Sequence, residues 1–127
     1  MRMGSPLKFI STDERTILRL VIKVSKFHIE TNRLLLRDLV IEDFNQVHEY
    51  AAMPEVVRYM EWGPNTEDDT RHFLQESIDL NAKSPRLDFE LGVVLKSENR
   101  VIGGGGIHVS NRPNNEGWIG YCFNQAY

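Results

Sequence analysis

Apolar and polar positions alternate along several stretches of this chain and recur at intervals of three and four in others. Between Thr16 and Glu30, Leu18, Leu20, Ile22 and Val24 share one parity and Arg19, Val21 and Lys23 hold the other. Period-two patterning predicts a strand, with a helix over residues 13–25 as the alternative. In ETNRLLLRDL, Leu34 and Leu36 face one way while Arg33, Leu35 and Arg37 face the other. That is a strand with one buried face, ending near Asp38.

The pattern then changes period. Phe44, Val47 and Ala51 fall at i, i+3 and i+7, which predicts an amphipathic helix. Val40 stands at its N-cap with no side-chain acceptor, but Asp43 can reach back to the cap N–H and supply half of a capping box. Pro54 opens a short helical turn, and the EWGP stretch interrupts it. TEDDTRHFLQESIDLNAK carries the clearest helical signature. Thr66 is an N-cap, Asp69 completes the box, and Glu67, Asp68 and Asp69 put negative charge at the positive end of the dipole. Phe73, Leu74 and Ile78 form its apolar stripe, and Lys83 with Ser84-Pro85 ends it.

The rest reads as sheet. Phe89, Leu91, Val93 and Leu95 share one face of a strand, SEN turns the chain, and RVIGGGGIHV returns it as a hairpin. An Asn- and Pro-rich loop follows. The last strand, WIGYCFN, has Trp118, Gly120 and Cys122 on one parity. The element order β(β)-α-α-β-β-β predicts an α+β fold, a mainly antiparallel sheet with helices packed on it and an extra N-terminal strand.

Composition adds exclusions. The 127 residues suit one domain, and 41% hydrophobic with 26% charged residues is ordinary for a globular chain. The net charge of −3, without a basic run, argues against nucleic-acid binding. The apolar runs fall short of a membrane span, and the acidic and basic residues Asp13, Glu14 and Arg15 interrupt any signal-peptide core. Cys122 is the single cysteine, which fits a reducing compartment, so a cytoplasmic location is expected. His28, His48, His72 and His108 show no metal-ligand spacing, and no metal is expected.

Four stretches together carry a resemblance: ETNRLLLRDLVIEDF, VVRYMEWGPNTEDD, RVIGGGGIHV and GWIGYCFNQAY. In this order they resemble the GNAT-superfamily N-acetyltransferases, and more narrowly the branch of the RimJ and RimL ribosomal-protein acetyltransferases. The resemblance runs from Phe27 to Tyr127, leaving residues 1–26 as an extension. It implies that the chain is cut off just before the Gly-rich loop that grips the pyrophosphate of acetyl-CoA, so that residues 27–127 form an incomplete domain. Arg100, Gly103 and Gly105 spell that loop's R-x-x-G-x-G, but strand rather than helix follows them. Gly103 to Gly106 therefore read as a kinked or bulged strand.

The resemblance implies acetyl-CoA as co-substrate and a primary amine, on a small molecule or a protein N-terminus, as acceptor. It places the pantetheine arm along the last strand, against backbone groups of Cys122, Phe123 and Asn124. It offers Glu116 as catalytic base, although the nearest branch pattern puts the acid at Trp118. It places Glu61 and Trp62 at the wall of the acceptor pocket. An alternative is a truncated, non-catalytic fragment acting as a self-associating or binding module. An exposed last strand would in either case favour a homodimer.

Overall fold

The computed structural model describes residues 27–127. The strand expected at residues 16–24, and its helical alternative, lie outside the described residues. Two short strands open the described fold: β1, His28–Glu30, and β2, Leu34–Asp38. They pair antiparallel, with Ile29 opposite Leu36. Thr31 makes the turn between them: its N–H donates to the Leu34 carbonyl at 2.8 Å, and its hydroxyl accepts the Leu34 N–H at 3.0 Å.

The buried face of β2 is the one carrying Leu35 and Arg37, both 8% exposed. An arginine can sit there because Asp43 meets its guanidinium with two hydrogen bonds, at 2.8 and 2.9 Å. Asp43 also accepts the Val40 N–H at 2.9 Å, the expected half of a capping box. One carboxylate thus starts a helical segment and neutralises a buried cation. A 3-10 turn, Ile41–Asp43, leads into α1, Phe44–Ala51, and α2, Pro54–Val57, follows with Pro54 in its first turn.

Helix α3, Glu67–Asn81, starts at the expected box. The Asp69 N–H donates to the Thr66 hydroxyl at 3.1 Å, and the Asp69 carboxylate accepts the Thr66 N–H at 2.9 Å. Its buried positions are Thr70, Leu74, Ser77 and Asn81, with Phe73 and Ile78 half-buried beside them. The stripe tolerates polar residues because each is bonded. Thr70 meets His48 Nδ1 at 2.8 Å, and Ser77 donates to the Phe73 carbonyl at 2.8 Å.

Strands β3, Asp88–Leu95, β4, Arg100–Asn111, and β5, Glu116–Phe123, complete a five-stranded antiparallel sheet in the order β1-β2-β3-β4-β5. Helices α1 and α3 pack on one face, where Leu35, Tyr50, Leu74, Val94 and Val101 form the centre of the core. The fold is α+β, in the element order expected from the sequence.

Strand β4 is irregular where its glycines begin. Val94 pairs with Val101 but Val93 pairs with Gly103, so Ile102 is an extra residue, a β-bulge. At Gly103 a Cβ would lie 2.5 Å from the Cys122 carbonyl oxygen. The glycines therefore serve close strand approach, and the R-x-x-G-x-G lookalike lies within a strand.

Candidate functional site

The helix-covered face of the sheet loses its side chains where β4 meets β5. Gly104 stands opposite Cys122, Gly106 opposite Gly120, and His108 opposite Trp118. Three glycines on adjacent strands leave a slot floored by backbone. A Cβ on Gly120 would meet only Trp118, at 3.6 Å, so the space above it is open. The inner end is closed by Tyr50, whose hydroxyl lies 3.1 Å from where a Gly104 Cβ would be. Burial, and then the nearby Cys122, Asp43 and Glu90, push the Tyr50 phenol well above its ordinary range. It stays protonated and can donate.

The outer end is closed by a charged cluster. The His108 Nδ1 lies 2.7 Å from Asp88 Oδ1, and its Nε2 lies 2.9 Å from Glu90 Oε1. The imidazole stacks on Trp118 with ring centroids 3.9 Å apart. Glycine at 106 makes room for the pair: a Cβ there would lie 2.6 Å from His108 Nε2 and 3.0 Å from Glu90 Oε1. Desolvation raises the Glu90 carboxyl above its usual range, and the charge and hydrogen bond of His108 oppose that rise. The backbone of Glu90 is fixed from α3: Asn81 Nδ2 donates to the Glu90 carbonyl at 3.0 Å, and Asn81 Oδ1 accepts its N–H at 3.1 Å. Arg86 braces Asn81 Oδ1 at 2.8 Å and bonds Asp38 at 2.6 Å.

Strand β5 pairs only with β4 among the described residues, so its second edge is open. The Asn124 N–H donates to the Ile102 carbonyl at 2.7 Å, toward β4. Backbone groups of an antiparallel strand alternate in direction, so Cys122 also turns its N–H and carbonyl to β4, and Tyr121 and Phe123 turn theirs to the open edge. The Asn124 side chain is buried and donates to Glu49 Oε1 at 3.0 Å, tying the end of β5 to α1. Burial raises the Cys122 thiol, with the Gly104 N–H partly offsetting it, so this cysteine is not an activated nucleophile.

The sequence-selected residues are thus dispersed. Cys122, Phe123 and Asn124 form the end of β5 beside the slot. Glu116 is exposed at the start of β5, opposite Asn111. It lies four residues from Gly120, about 13 Å along an antiparallel strand, farther than a glutamate side chain extends. Glu61 and Trp62 are exposed on the connection from α2, which packs against β5, to α3. Among the described residues neither side chain makes a hydrogen bond or ring contact. Asp88, Glu90 and His108 as a cluster were missed. The available signal was two acids on the polar parity of a strand whose hairpin partner carries a histidine. A separate apolar hollow of about 290 Å³ lies between the end of β2 and α3, lined by Leu39, Ile41 and Ile78 among others and away from β5.

Comparison with known proteins gives a consistent family. Residues 33–127 match the family described as Acetyltransferase (GNAT) domain. Over 76 residues the chain is 33% identical to the N-acetyltransferase YnaD of Bacillus subtilis (strain 168), a match covering 60% of this chain and 41% of that protein. Over 92 residues it is 32% identical to the N-acetyltransferase p20 of Bacillus licheniformis, covering 72% of this chain and 51% of that protein. The chain spans about half the length of these curated relatives. Among solved structures, a GNAT-family acetyltransferase from Bacillus anthracis superposes with a TM-score of 0.64 at 30% identity, covering 80% of this chain and 55% of that one. The ribosomal-protein-S5-alanine acetyltransferase from Vibrio fischeri shares the fold with a TM-score of 0.59 at 21% identity, covering 80% of this chain and 58% of that one.

Proposed function

This chain belongs to the GNAT acetyltransferase family, and we propose that it takes part in transfer of an acetyl group from acetyl-CoA to a primary amine, on a protein N-terminus or a small molecule. The observation that carries the reading is the glycine-floored slot beside the open edge of β5. The co-substrate supplies the acetyl group as a thioester. The chain supplies an extended edge at Tyr121 and Phe123 for an amide-containing arm, and a space free of side chains at Gly106 and Gly120 where the acyl carbon and the amine can meet. Holding the two in register accounts for much of the rate of such a reaction. Of the three residues chosen from the sequence, Phe123 has the free backbone groups, while Cys122 and Asn124 hold the strand in place. Glu61 and Trp62, on the loop beyond α2, serve the wall of the acceptor pocket. Glu116, which the resemblance offers as base, lies at the rim about 13 Å along β5 from Gly120, outside the space where the acyl carbon and the amine would meet. The likeness to a ribosomal-protein acetyltransferase fold supports the RimJ and RimL branch and a protein N-terminus as acceptor, and the single cysteine supports a cytoplasmic location.

The same open edge favours a two-fold dimer. Trp118, Ile119 and Tyr121 on β5 are 58%, 70% and 70% exposed, beside unpaired backbone groups that another β5 could meet. Calorimetric titration with acetyl-CoA tests the enzymatic reading. Micromolar binding supports it, and no binding at millimolar concentration removes it for this chain.

A further inference from the structure

Proton transfer is the part of the reaction that family membership leaves open. An amine reaches the site as an ammonium ion and must lose a proton before its nitrogen can attack. Glu116 stands too far along β5 to reach the slot. Trp118 occupies the nearer position and has no basic atom. The slot does have acid-base groups at its outer end, on β3 and β4.

We infer that His108 and Glu90, with Asp88 fixing the ring, form the proton acceptor of this site. The inference rests on the proposed acetyl transfer and adds to it the identity of the base. Three observations carry it. The Nε2–Oε1 contact of 2.9 Å lies at the edge of the slot floor, beside Gly106. Both carboxylates hold the imidazole from one strand, and an ionised carboxylate only accepts, so one proton lies between Nδ1 and Asp88 and another between Nε2 and Glu90, and departure of the second leaves the pair able to accept. Glu90 is itself anchored through both backbone groups to Asn81, so the cluster is built into the fold. Asp88 is a positioning residue, and His108 and Glu90 are the groups that hold the moving proton.

The step balances simply. One N–H bond of the ammonium breaks, and the proton goes to the His108–Glu90 pair. The freed nitrogen lone pair forms the C–N bond to the acetyl carbon. The C–S bond breaks, the acylated nitrogen loses its second N–H proton to give the neutral amide, and the departing thiolate takes up that proton. The pair is competent when it holds no proton between Nε2 and Oε1, and it is blocked when one is already there. Activity therefore rises with pH as this shared proton leaves. Burial acts on Glu90 first, then His108 on β4, Asp88 on β3 and Glu76 on α3, while Tyr50 on α1 and Cys122 on β5 face it with raised, protonated groups. The negative charges of Asp88 and Glu76 favour retention of the proton, and the stacked Trp118 limits water at the ring.

The test compares wild type with His108→Gln, Glu90→Gln, Asp88→Asn and Glu116→Gln, each first checked for fold by circular dichroism. Acetylation of an alanine-initiated peptide by acetyl-CoA is followed as a function of pH. The expected result is a loss of roughly 10²- to 10⁴-fold in kcat/KM for His108→Gln and Glu90→Gln, with the rising limb gone and KM for acetyl-CoA unchanged. Asp88→Asn is expected to displace the limb, and Glu116→Gln to match wild type. Loss of rate and limb in Glu116→Gln, with both kept in His108→Gln, overturns the inference. Imidazole ¹⁵N spectra supply a readout that needs no turnover. The peptide should shift the His108 resonances in wild type, and Glu90→Gln should weaken that response. Unshifted His108 resonances at saturating peptide also overturn it. Failure to bind acetyl-CoA in calorimetry, with the ring spectra responding to peptide, removes the acetyl-transfer reading and leaves the amine-facing cluster standing.

Discussion

The side chain of Asn124 is buried to 1% exposure and donates to Glu49 Oε1 at 3.0 Å, joining the end of β5 to α1. Glu49 also pairs with Arg100, and the Asn124 side-chain oxygen Oδ1 accepts the Ala126 N–H at 3.0 Å. Replacing Asn124 by Ala removes both hydrogen bonds that its buried side chain makes, to Glu49 and to the Ala126 N–H. The expected loss is about 1–3 kcal/mol, read as a lower urea midpoint at unchanged slope. An unchanged midpoint would show that the end of β5 is held by its ladder alone.

The Arg37–Asp43 pair should behave as a buried ion pair. Asp43→Asn leaves the guanidinium without its charge partner and is expected to cost roughly 3–5 kcal/mol. The double replacement Arg37→Met with Asp43→Leu removes both charges and should recover part of that loss. The Val40 cap acceptor stays missing, so recovery should fall short of wild type. Thermal denaturation of the three proteins decides this.

At the start of α3, Thr66→Ala should cost about 1 kcal/mol. Hydrogen bonds from the Thr66 backbone and then its side chain lower the Asp69 pKa relative to an ordinary aspartate. A depressed folded-state value contributes stability above the unfolded value and loses it as pH falls through the folded one. The stability difference between wild type and Asp69→Asn should therefore be present at neutral pH and shrink in acid. A difference that is flat with pH would mean that the carboxylate adds nothing beyond what an amide can supply.

Gly103→Ala brings a methyl group against the Cys122 carbonyl oxygen and the Phe123 ring, at 2.5 and 2.7 Å. Backbone cannot yield as a flexible side chain can, so β4 and β5 must separate. A loss of about 1–3 kcal/mol is expected, with faster amide exchange in β5 relative to β2. Gly105→Ala, whose nearest neighbour would be 3.7 Å away, is the control.

Cys122 should react slowly with thiol reagents near neutral pH, because burial raises its thiol and hides it. The rate should approach that of a free thiol only on unfolding. Cys122→Ser should keep any acetyl-transfer activity, since no acyl group passes through this sulfur in the proposed reaction. An acetylated Cys122 found by mass spectrometry would contradict that.

The elements of this fold were readable from the chain because each has a local cause. Thr66 and Asp69 cap α3, Pro54 opens α2, the alternation from Phe89 to Leu95 makes β3, and the turn before Arg100 makes a hairpin. Their order was enough to give the α+β architecture, and four sequence motifs carried the resemblance to the family. The dense polar contacts were not readable in the same way. Arg37 has the parity of Leu35, and only the approach of Asp43 shows why a charged residue can be buried on that face. The cluster at the outer end of the slot depends on a finer detail. With an unbroken hairpin register, Ile107 rather than His108 would stand opposite Asp88, and the histidine would point away from Glu90. The extra residue at Ile102 shifts the pairing by one and turns every later side chain of β4 to the other face. Sequence alone determined the strands and helices of the described residues, since periodicity and caps act over a few residues, and its motifs carried the family resemblance. The bulge at Ile102 is a relation between two strands that no local pattern marks, and it brings His108, Asp88 and Glu90 together beside the glycine slot.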